Sequence, residues 1–97
     1  MEKSVYLTIL FDYYGNLLTE GQRTYFKNYY FDNLSLSEIS ENMNVSRNAI
    51  HKQLKVIEEK LNFYEDSLHL YDKDNKLNKI IEEIEDKNVK KKLKELL

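Results

Sequence analysis

The sequence predicts an all-α protein, a helix-turn-helix bundle followed by a C-terminal helical extension. Three observations carry that prediction. The 97 residues include no proline and only two glycines, Gly15 and Gly21, so little interrupts long helices. Apolar residues recur at three- and four-residue spacing, the period of a helix buried along one stripe. Two capping-box signatures and a capping serine then divide the middle of the chain into consecutive helices. A chain of this length makes one domain with a modest core.

The first helix is expected from about Ser4 to Tyr14, with Leu7, Leu10, Phe11 and Tyr14 as its apolar stripe. Gly15 is expected to stop it in a left-handed conformation, ahead of Asn16. Thr19 and Gln22 have the spacing of a capping box, and Tyr25, Phe26, Tyr29 and Tyr30 form the core stripe of a second helix of about a dozen residues. Asp32-Asn33 ends it. Ser35 and Glu38 repeat the capping-box pattern ahead of a short third helix with Leu36, Ile39 and Met43 on its buried edge. Asn44 suits the left-handed position of a tight turn, Val45 follows, and Ser46 caps a fourth helix from Arg47. This helix is long, because Ile50, Leu54, Ile57, Leu61, Tyr64 and Leu68 stay within one narrow stripe. The polar segment Tyr71 to Asn75 reads as a loop. Leu77, Ile80, Ile81 and Ile84 form one later stripe. Val89, Leu93, Leu96 and Leu97 form another, after a restart near Asp86 to Asn88. Tyr13, Tyr14, Tyr64 and Tyr71 are placed along a groove between helices.

Composition removes several classes of function. With no cysteine there is no disulfide framework, thiolate metal site or cysteine nucleophile. No N-terminal targeting pattern and no apolar run of membrane-spanning length is present, so a soluble, cytoplasmic protein is expected. His51 and His69 lack the spacing and supporting ligands of a zinc site. Glu58-Glu59, Glu82-Glu83 and Glu85-Asp86 fit solvated helix faces better than an acid–base pair, which needs a cleft to separate its pKa values. No Gly-rich phosphate loop occurs. No enzymatic activity, cofactor or metal is therefore expected. The net charge of −2 is unevenly spread: residues 1–66 carry −3 and residues 67–97 carry +1. A nucleic-acid contact would need a local patch rather than a basic arm.

Such a patch is expected on the fourth helix. Around the helix from Ile50, Asn48, Lys52 and Lys55 lie roughly opposite the core stripe, His51 lies beside them, and Arg47 is in the first turn. These are phosphate-binding and base-edge side chains. The plainer reading is a solvated face, which is commonly rich in Lys and Asn. The basic residues Lys90-Lys91-Lys92 and Lys94 adjoin the last apolar stripe. Helix packing or dimerisation suits them better than a membrane surface, because so short a chain has few apolar residues to spare.

The run Leu18-Thr19-Glu20-Gly21-Gln22-Arg23, with Phe26, Tyr29, Ser37-Glu38-Ile39-Ser40 and Val45-Ser46-Arg47-Asn48-Ala49-Ile50, resembles the promoter-reading fourth region of bacterial sigma factors. Leu10-Phe11-Asp12-Tyr13-Tyr14, Tyr64-Glu65 and Leu68-His69-Leu70-Tyr71 extend a closer resemblance to the small bacterial YlxM-like family, over roughly residues 4–71. The resemblance implies a sigma-region-four-like helix-turn-helix bundle and a DNA-binding regulatory or accessory protein. It adds Ser46 to Arg47, Asn48, His51 and Lys52 as nucleic-acid contacts. Members of that family are usually encoded beside the signal-recognition-particle GTPase. The resemblance therefore also implies a link to that pathway, or instead a module that binds the GTPase or its RNA without reading DNA. Residues 1–70 are expected to form the helix-turn-helix domain, and residues 71–97 an extension packed on it or on a second subunit. A symmetric homodimer without membrane insertion is the expected assembly.

Overall fold

The side chains of Ile50, Leu54, Ile57 and Leu61 are all buried, and the rest of the molecule is arranged around them. They lie on α4, Arg47–Leu68, in a computed structural model that describes residues 1–97. Three earlier helices pack on this stripe: α1 (Lys3–Tyr14), α2 (Glu20–Phe26) and α3 (Leu36–Met43). Two later ones, α5 (Leu70–Glu82) and α6 (Lys87–Lys94), complete an all-α protein without strands. The core adds Leu7, Leu10, Phe11, Tyr14, Leu18, Phe26 and Ile39. Each such apolar side chain contributes about 1.5–3 kcal/mol on burial, which gives α4 a single preferred rotation. Phe11 and Phe26 stack with ring centroids 4.4 Å apart, joining α1 to α2.

Local chemistry sets the boundaries. Thr19 and Gln22 exchange both bonds of a capping box at the start of α2, and Ser35 and Glu38 do the same at α3. Gly15 departs from expectation. Its φ is −55°, and the chain leaves α1 through a 3-10 turn, Gly15–Leu17. Glycine avoids a tight contact there, since a Cβ would sit 3.2 Å from the Phe11 ring. After Phe26 the chain continues as a π turn, Lys27–Phe31, closed by the Asp32 N–H donating to the Lys27 carbonyl at 2.9 Å. Asn33, at φ 55°, then ends the helix. The π turn shifts the aromatic register: Tyr29, expected in the core stripe, is 38% exposed.

The expected loop at Tyr71–Asn75 is helical. Glu65, one turn after Leu61 on the inner side of α4, is buried and accepts from three donors: the Tyr14 hydroxyl (2.6 Å) and the Tyr71 and Asp72 N–H groups (3.1 and 3.0 Å). The Tyr14 hydroxyl itself accepts from the Leu70 N–H at 3.1 Å. These bonds satisfy first-turn amides that would otherwise be orphaned, so α5 begins directly after His69, whose left-handed backbone (φ 56°) turns the chain. Tyr6, Tyr13, Tyr14, Tyr64 and Tyr71 gather in one aromatic cluster at this junction, with Tyr13 donating to Asp74.

Further stripe positions are exposed rather than buried: Met43, at the end of α3, Leu68, where α4 runs past the core, and Leu77, Ile80, Val89, Leu96 and Leu97 in the extension. The start of α5 packs on α1 and α4, whereas α6 packs on α5, giving a molecule measuring 55 × 25 × 24 Å. Within residues 70–97 only Ile81 is buried. Glu82 reaches Lys94 and Lys90 at 2.9 and 3.3 Å, and Lys94 first, then Lys90, lowers its pKa.

Burial first, then the bond to Glu65, raises the Tyr14 pKa from its ordinary 10.0 to about 12, and burial and Asp74 do the same for Tyr13. A raised folded-state pKa favours the neutral phenol in the fold. The resulting stability is complete below pH 10 and is lost as pH climbs towards about 12. Chemical denaturation across that window should show a falling midpoint. Tyr14→Phe should cost about 1–3 kcal/mol at neutral pH and flatten the alkaline decline.

Candidate nucleic-acid interface

The corner between α3 and α4 is built from Asn44, Val45 and Ser46, braced by Ser40 one turn earlier. Asn44 takes the left-handed conformation at φ 56°, which its short polar side chain tolerates better than most. Its N–H and that of Val45 both donate to the Ser40 carbonyl, the latter at 3.3 Å, and the Ser40 hydroxyl donates to the Val45 carbonyl. Ser46 then caps α4, its Oγ accepting from the Ala49 N–H at 3.1 Å. Ile39 and Ile50, each at 0% exposure, lock the two helices together on the inner side of this corner.

Burying Ile50 and Leu54 sets where the opposite side chains go. At 100° per residue, Asn48, Lys52 and Lys55 stand roughly 140–200° around α4 from Ile50. Ser46, Arg47, Asn48, His51, Lys52 and Lys55 are all exposed. The helix therefore brings five of the six candidates onto its first three turns. Ser46 is different, because its hydroxyl oxygen is already engaged in capping. Arg47, Lys52 and Lys55 make none of the molecule's ion pairs, so their donors are available to an anion.

The cationic surface is short. Asn48 to Lys55 spans about 10 Å of helix. Beyond it the same side carries Glu59 and Asp66, with Phe63 at 65% exposure nearby. Beside Lys55, α4 borders a hollow of about 170 Å³ shared with Tyr29 and Tyr30 of the π turn, Leu36 of α3 and Lys3 of α1. His51 and Glu58 also line it, and Lys3 meets Glu58 at 2.7 Å. That bond to Glu58 raises the Lys3 pKa. No cluster of His, Cys, Asp or Glu has the makings of a metal site. No helix is long and apolar enough to cross a membrane.

Two participants were not legible from spacing. Ser40 locks the corner, and its hydroxyl gives no sequence signal distinguishing it from any helical serine. The Lys3–Glu58 pair joins residues distant in sequence, and only the packing of α1 on α4 reveals it.

The corner's strain gives a direct check. Asn44→Gly should leave stability nearly unchanged, because glycine adopts the same backbone freely. Asn44→Val should cost about 1–2 kcal/mol, because a branched side chain opposes φ 56°. Urea denaturation of both variants measures the difference.

Comparison with known proteins places the chain beside helix-turn-helix relatives. Residues 1–97 match a family model described as "Putative helix-turn-helix protein, YlxM / p13 like". A UPF0122 protein of Caldanaerobacter subterraneus is 43% identical over 82 residues, covering 84% of this chain and 70% of its own. One from Oceanobacillus iheyensis is 39% identical over 100 residues, covering 99% of this chain and 95% of its own. One from Bacillus thuringiensis is 47% identical over 73 residues, covering 75% and 66% respectively.

Proposed function

The chain belongs to the YlxM/p13-like helix-turn-helix family, and from that premise we propose that it is a regulatory or accessory protein that docks the N-terminal turns of α4 into the major groove of duplex DNA. Arg47 and Lys52 meet phosphates, with Ser46 at the first turn beside the backbone. Asn48 and His51 approach base edges, and Lys55 holds the flanking strand. The observation that carries this is the exposed group Arg47, Asn48, Lys52 and Lys55, free of internal ion pairs and projected from a locked corner. No reaction chemistry enters the proposal, since binding and release are all this face needs to perform.

Few cations mean a shallow salt dependence. Three phosphate contacts give a slope of about −2 to −3 for log affinity against log salt. Arg47→Ala and Lys52→Ala should each weaken DNA binding across all sequences and reduce that slope by about one. Fluorescence anisotropy with labelled duplexes measures both. Absence of duplex binding at low salt would remove this reading. Binding to the signal-recognition-particle GTPase or its RNA under the same conditions would replace it with the interaction-module reading. The exposed Phe63 favours the GTPase-binding form of that second reading, because an exposed aromatic suits a protein partner, and the Glu59 and Asp66 carboxylates beyond the cations repel any phosphate backbone.

Residues 1–70 form the docking unit in this proposal, and residues 71–97 pair two copies into a homodimer. Ile80, Val89 and Leu96, exposed at 59%, 45% and 80%, leave the extension short of apolar partners. Sedimentation should show a dimer that Ile80→Glu with Val89→Glu converts to monomer. A monomeric wild type would refute the pairing.

A further inference from the structure

We infer that the hollow between the π turn and α4 receives an unpaired base of the same DNA on which α4 docks, stacking it on Tyr29. The inference rests on the groove-docking reading above and adds the feature of DNA that the protein would prefer. It begins with the π turn itself. An ordinary α-helical register would carry Tyr29 into the core stripe with Tyr25 and Phe26. The extra residue in the turn at Lys27–Phe31 leaves Tyr29 38% exposed instead. π turns are rare and occur disproportionately at working sites.

The exposed ring is backed by a second one. Tyr30 packs on buried Phe26 with centroids 4.4 Å apart, and Tyr29 meets Tyr30 edge-on at 5.0 Å and 84°. Tyr29 and Tyr30 together wall the hollow whose other side is His51, Lys55 and Glu58 of α4. A second hollow lies on their far side, bordered by Ser4, Asn33 and Leu34. An aromatic wall with depressions on both sides offers a platform on which a flat ring can lie.

The charges around the platform match a nucleotide rather than a free hydrocarbon. Lys3 is paired with Glu58 at 2.7 Å, which leaves the Lys55 ammonium as the unpaired charge at the rim. That ammonium suits the phosphate, the Tyr29 ring suits the base, and the Glu58 carboxylate can accept from an exocyclic amino group. In a paired duplex every base face is covered by its neighbours, so only an unpaired base can use such a wall. His51 and Lys55 belong both to the groove-docking face and to the hollow, so one bound duplex can reach the two at once.

The test compares a short, fully paired DNA duplex with the same duplex carrying one unpaired 2-aminopurine, at one salt concentration. The bulged duplex should bind about tenfold more tightly, in keeping with one stacked base, and the 2-aminopurine emission should fall on binding. Tyr29→Ala should abolish the preference while leaving affinity for the paired duplex unchanged. Tyr29→Phe should retain it. Equal affinity for the two duplexes, or a preference that survives Tyr29→Ala, overturns this inference and leaves groove docking standing. Binding of the bulged duplex alone overturns groove docking and supports the base-stacking site. Binding of neither overturns both. Tighter binding of an RNA stem with the same bulge overturns the choice of DNA.

Discussion

Burial of one stripe on α4 is the constraint on which the other elements depend. Ile50, Leu54, Ile57 and Leu61 are shared by α1, α2 and α3, so none of those helices has a complete core without α4. The same burial sets the rotation of α4. A helix whose inner face is sealed by four apolar side chains must present Asn48, Lys52 and Lys55 on the other side. The core and the candidate interface are therefore two faces of a single decision, and a substitution that rotated α4 would disturb both.

The junction at Glu65 extends this logic to the end of the domain. A carboxylate on α4 is buried because it has three donors to accept from, and those donors come from α1 and from the first turn of α5. Hydrogen bonds to a charged acceptor are among the stronger ones, and leaving any of these groups unpaired in the interior would be costly. The extension thus leaves the domain in a direction set by Glu65 and the left-handed backbone at His69. Beyond that junction little is buried, and ion pairs from Glu82 to Lys90 and Lys94 connect α5 to α6.

The aromatic residues show how closely structure and site are related. Phe11, Phe26 and Tyr30 build the interior contact between α1 and α2. Tyr29, one residue from Tyr30 within the same π turn, lies at the surface. The difference between a core residue and one beside the candidate interface is one extra residue in a helical turn.

Much of the architecture was determined by sequence alone. Helix starts at Thr19, Ser35 and Ser46 are local, since each side chain bonds an amide three residues away. The stripe from Ile50 to Leu61 follows from helical period, and exposure of Asn48, Lys52 and Lys55 follows from the stripe. Tertiary structure decided what local rules could not express. Gly15 answers to the Phe11 ring rather than to a left-handed turn. Tyr71 to Asn75 reads as polar loop until Glu65, joined to Tyr14 of α1, supplies the missing acceptor. Tyr29 keeps the spacing of a core residue although the π turn displaces it. Each of these depends on atoms brought together by packing, whereas caps and stripes depend on neighbours along the chain.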